Sequence, residues 1–171
     1  MAIVMKPAVG LAKRLRDHGL GLIVEFSEGG GQITSTPNDA AAQTIIDAYT
    51  VVDEQDYLCA EVSAIAKQLR DRAVADVSAG EMASWPVKRA EAAAYLASRN
   101  PGDAPMLSVE CAARGISLDA MVAKVESNAA RLAQLEAFIA GVDGRHRDAL
   151  RACNTFEALA AYDYTTGWPS P

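Results

Sequence analysis

From Leu118 onward the chain repeats every seven residues. Leu118, Val125, Leu132 and Ile139 hold one position, and Met121, Asn128, Leu135 and Val142 hold the position three residues later. Four consecutive heptads of this kind point to a long helix whose apolar seam packs on another helix. Asn128 is the one polar member, and an Asn in a seam fixes register while lowering stability. Over so short a run the periods 3.5 and 3.6 are hard to separate. Packing within the chain and packing against a second copy therefore both remain open. Ser117 stands where it can cap this helix, and Gly141 and Gly144 are expected to loosen it before it resumes through His146 to Cys153.

The rest of the chain reads as helix for the same reason. Ala is abundant, aromatics are 6% and half of the residues are hydrophobic. Ala loses no side-chain entropy in a helix. Thr36-Pro37-Asn38-Asp39 is a helix start, and the helix should run to about Tyr49. A longer helix is expected from about Asp53 to Ala79, with Leu58, Val62, Ile65, Leu69 and Ala73 at helical spacing and Gly80 as its stop. Trp85-Pro86 should force a bend or a helix start at Ser84, since proline lacks an N–H and restricts the residue before it. Helices are then expected to about Ser98 and from Pro105 to Arg114. Asn154 and Glu157 resemble a capping box for a last helix, FEALAAYD.

The N-terminal part differs. Residues 7–18 can form a short basic helix ending at Gly19, although Gly10 weakens it. Residues 20–26 read as a strand ended by Glu28-Gly29-Gly30-Gly31, and residues 32–35 can return as its hairpin partner. The expected architecture is mainly α: a helical bundle or coiled-coil-like helical hairpins with a small N-terminal β-hairpin. Residues 1–36 form a basic helix and hairpin that could dock, 37–153 a helical body, and 154–171 a short helix with an aromatic tail.

The net charge of −6 disfavours a general nucleic-acid binder, which needs Lys and Arg against phosphates. Residues 1–18 nevertheless carry a net of +3 from Lys6, Lys13, Arg14 and Arg16 against Asp17. Lys13, Arg14 and Arg16 are therefore candidate partner-binding residues, with a solvated helix face as the plain alternative. No apolar run reaches the ~20 residues that span a bilayer. Pro7, Gly10, Lys13 and Arg14 interrupt any secretory leader, so none is expected. Cys59, Cys111 and Cys153 are odd in number and form no CxxC, and they read as reduced thiols.

No chemistry-bearing motif emerges. Gly29-Gly30-Gly31 lacks the Lys-Ser/Thr of a phosphate loop and the spacing of a dinucleotide fingerprint. His18 and His146 stand in no metal-ligand pattern. His146 and Cys153 could share a helix face, but a thiolate near a helix C-terminus is disfavoured by the dipole. Asp53, Glu54 and Asp56 are explained by a helix start. No catalytic residue, metal or cofactor is expected. Tyr162, Tyr164 and Trp168 crowd the tail. Trp168 could anchor in a partner's groove or fold back on its own helices.

Three stretches resemble a loose family of tailed-bacteriophage proteins encoded near tail-fibre and baseplate genes, described as tail-fibre assembly proteins or phage tail proteins of unknown function. One is the Ala-rich helix ending Ile45-Ile46-Asp47-Ala48-Tyr49. The most specific is Gly80-Glu81-Met82-Ala83-Ser84-Trp85-Pro86 followed by Lys88-Arg89-Ala90-Glu91-Ala92. The third is Ala112-Ala113-Arg114-Gly115-Ile116, a long helix with Lys124 and Ala129, and a closing Gly167-Trp168-Pro169. Together they cover roughly residues 38–169. The resemblance implies a non-enzymatic structural protein of the virion tail, near fibre or baseplate, found in the host cytoplasm during assembly. Phage tail, fibre or baseplate proteins would be its partners, with self-association in multiple copies, and neither nucleic acid nor membrane would be. A tail-fibre assembly chaperone that leaves before maturation, or a cellular helical adapter, would be the alternatives.

Overall fold

The computed structural model describes residues 3–5, 7–20, 23–27, 30–34 and 39–169, with the side chains of residues 7–20 and 40–169. The protein is mainly helical. Its helices are α1 (Val9–Asp17), α2 (Asp39–Ala48), α3 (Val51–Ala73), α4 (Ala79–Ser98), α5 (Pro105–Arg114), α6 (Leu118–Ala152) and α7 (Phe156–Ala161), and a 3-10 turn, Pro101–Asp103, precedes α5. Three short strands, β1 (Ile3–Met5), β2 (Ile23–Ser27) and β3 (Gly30–Thr34), pair antiparallel in the order β1-β3-β2. Ile3 stands opposite Ile33, and Glu25 opposite Gln32. The sheet found thus has three strands rather than the two of the expected hairpin. A two-stranded pair is marginal alone, and β1 adds a third strand. Gly30 and Gly31 belong to β3 rather than to a loop. Thr36, Pro37 and Asn38, the expected cap of α2, lie outside the described residues.

Chain packing divides the protein into two compact units. Unit one takes the chain up to Lys67 and again from Gly141 to Trp168; unit two takes Gln68–Ala140. This division is discontinuous, unlike the linear one at residues 36 and 153. The reason is packing between distant parts of the chain: α7 and the tail pack on side chains of α3 and α6.

Unit one has two apolar clusters. Leu11 and Leu15, one turn apart on α1, join Ala8, Leu20, Ala42, Ile46 and Tyr49, with Phe156 packed alongside. Leu58, Cys59 and Val62 of α3 join Leu150 of α6 and Leu159 of α7. In unit two, Ala92 and Tyr95 of α4 meet Ala104, Leu107 and Cys111 and then Met121 and Val122 of α6.

The helix ends follow ordinary capping chemistry. At the start of α3, Thr50 Oγ1 accepts from the Asp53 N–H at 3.2 Å and Asp53 accepts from the Thr50 N–H at 2.8 Å, a reciprocal capping box. Ser78 accepts from the Glu81 N–H, and Ser117 from the Ala120 N–H. Gly115, at φ 65, closes α5 in the left-handed conformation.

Several boundaries differ from expectation. The helix expected to reach Ala79 ends at Ala73, and Gly80 lies inside the first turn of α4 rather than ending α3. Ser78 decides this, because its side chain caps the next helix. Pro86 sits inside α4 without ending it. It removes one ladder bond, to the Met82 carbonyl. The Ala-rich turns beyond it, anchored by buried Ala92 and Tyr95, keep the helix going. Gly141 and Gly144 do not interrupt α6. Thr155, not Asn154, caps α7, accepting from the Ala158 N–H at 3.2 Å.

Candidate docking surface

The candidate partner-binding residues fall on both units, and each unit uses them differently. On α1 the basic side chains are exposed but largely answered. Lys13 pairs with Asp17 at 2.6 Å, one turn on. Arg14 reaches Asp53 at 2.9 Å and lies 4.8 Å over the Tyr49 ring. Hydrogen bonding to Lys13 holds the Asp17 carboxyl below its ordinary range. Asp53 is held low first by its bonds to Thr50 and then by Arg14. Arg16 is exposed.

Beneath α1 lies a buried acid that sequence reading assigned only to a helix start. Glu54 is 2% exposed. It accepts from the backbone N–H groups of Val9 and Gly10, both at 3.0 Å, and from the Tyr49 hydroxyl at 2.8 Å. The carboxylate thus satisfies the free N–H groups and positive dipole end of α1 from another helix. Burial first, then this bond, push the Tyr49 phenol well above its ordinary range. Gly10 explains itself here: a Cβ at that position would stand 2.6 Å from Tyr57 Cγ and 2.8 Å from Glu54 Oε2. The available signal was register, since Glu54, Leu58 and Val62 share one helix face.

The tail folds back within unit one. His146 is 3% exposed on α6. Its Nε2 lies 2.9 Å from the Thr166 carbonyl and its Nδ1 2.8 Å from the Tyr162 hydroxyl. A carbonyl only accepts, so Nε2 carries the proton, and in the neutral ring Nδ1 accepts from Tyr162. Trp168 stacks at a tilt 5.6 Å from the imidazole, donates its indole N–H to the Tyr164 carbonyl at 2.9 Å, and packs on the Leu58–Leu150–Leu159 cluster. Both His146 nitrogens are engaged, and Cys153 Sγ donates to the Ala149 carbonyl. The two are not arranged as a nucleophile and its base.

The heptad seam of α6 is only partly covered. Met121 is buried, with Leu118 and Val125 packed beside it on the α4–α5 core. Ile139 and Val142 are buried, and Leu135 is half-buried. Leu132, Leu135 and Ile139 line a groove with Ala73 and Val74 of unit two. Asn128 is exposed, as is Leu132.

Unit two also contains an acid that caps a neighbouring helix. Glu91 of α4 accepts from the N–H groups of Met106 and Leu107 at 3.1 and 2.9 Å. Lys88, largely buried, bridges Glu81 at 2.8 Å and Glu110 at 2.9 Å. Glu110 is held low by its bond to Lys88 and then by Arg114, and Lys88 is held high chiefly by Glu81 and also by Glu110. Burial pushes the Cys111 thiol up.

Sequence reading missed the outer face of α5. Leu107 and Cys111 face the core, while Met106, Val109 and Ala113 share the opposite face at helical spacing and are exposed. Val109 is 73% exposed. Seven of the nine large apolar side chains exposed among the described residues belong to unit two, including Leu96, Ile116 and Phe138. The i, i+3, i+7 spacing of Met106, Val109 and Ala113 was the signal that could have found this face.

Among the described residues, no group of three or more His, Cys, Asp or Glu is arranged to hold a metal ion. No helix among them is long and apolar enough to cross a membrane. Comparison with known protein families, with curated proteins and with solved structures found no match.

Proposed function

We propose that this chain is a non-enzymatic structural protein of the tail region of a tailed bacteriophage, near the fibres or baseplate, and that it acts by docking on other tail proteins and on copies of itself. The phage setting rests on the sequence resemblance over residues 38–169. The docking mode is supported chiefly by α5, which carries an exposed apolar patch, Met106 and Val109, opposite its buried one. Leu107 and Cys111 are buried in the core of unit two, whereas Met106 and Val109 on the other side are left exposed, and an exposed apolar face of this kind suits docking on a partner. The buried polar groups Glu54, Gln55, Lys88 and His146 are each engaged in internal bonds, which suits a scaffold better than a reaction centre.

The test is co-expression with the fibre and baseplate proteins encoded beside this gene, followed by purification of the complex. Val109→Asp with Met106→Glu should abolish capture of the partner while helix content and melting temperature stay unchanged. Undiminished capture by this variant would overturn the assignment of the α5 face.

A further inference from the structure

We draw no further inference here: the strongest candidate, the apolar groove of about 330 Å³ in unit two between the end of α3 and α6, floored by Val74, Leu132, Leu135 and Ile139, is an unpartnered apolar face, and nothing in the structure shows what covers it.

Discussion

Gly10 shows how one residue can be required by packing rather than by backbone freedom. Its place in α1 lowers helix propensity by about 1 kcal/mol relative to Ala, yet a methyl group there would collide with Tyr57 and with the Glu54 carboxylate. Gly10→Ala is expected to lower stability by about 1–3 kcal/mol, the usual range for overpacking, read as a drop in denaturation midpoint. A gain in stability would show that the pocket under α1 gives way. Trp168 belongs at the same scale. It is half-buried against Leu58, Leu150 and Leu159, so Trp168→Ala should cost about 2–3 kcal/mol, less than the 3–5 kcal/mol of a fully buried Trp. An unchanged melting temperature would free this residue to act as an anchor for a partner. Sequence alone left those two roles open, because an aromatic tail carries the same apolar area into either setting.

Among the elements, the legible parts were those specified by neighbours in sequence. Pro105 and Gly115 bound α5, and Ser117 opens α6, because caps act over three or four residues. Pro86 and Gly80 misled for the complementary reason: Ser78 and the buried Ala92–Tyr95 turn override local breakers. The roles of Glu54 and Glu91 were illegible, since each caps a helix separated from it by many residues. Lys88 cross-links α4 to α5 through Glu110. Glu110 titrates below its usual 4.5 in the folded protein, so it contributes stability above that pH and loses it as pH falls through the lower folded value. Glu110→Gln should therefore reduce stability at pH 7 and flatten the fall on acidification below about pH 4.5. An acid limb as steep as that of the wild type would place the linkage elsewhere. On α6, exposed Asn128 should tolerate Leu with a change below about 0.5 kcal/mol. A rise in stability with a larger oligomer by light scattering would instead show a seam between copies.

At the scale of the whole molecule, the mainly helical class was readable from Ala content and heptads, but the division into two units was not. It arises because α3 and α6 each contribute to both units and because the tail returns to unit one, contacts that join residues 80–100 positions apart, as between Gln55 and the Cys153 carbonyl. Composition carries no record of such pairings. The α5 face was likewise not assigned from sequence, because helical spacing reveals an apolar face but not whether a neighbouring helix covers it. The role proposed for this chain is that of a built-in part of a phage tail. The most direct test is a quantitative mass-spectrometric inventory of purified, intact phage particles from the source of this gene. As a virion component, the chain should appear there at a fixed ratio to a known tail protein. Its presence only in infected-cell lysate, bound to fibre protein and missing from particles, would contradict the structural role and make it an assembly chaperone.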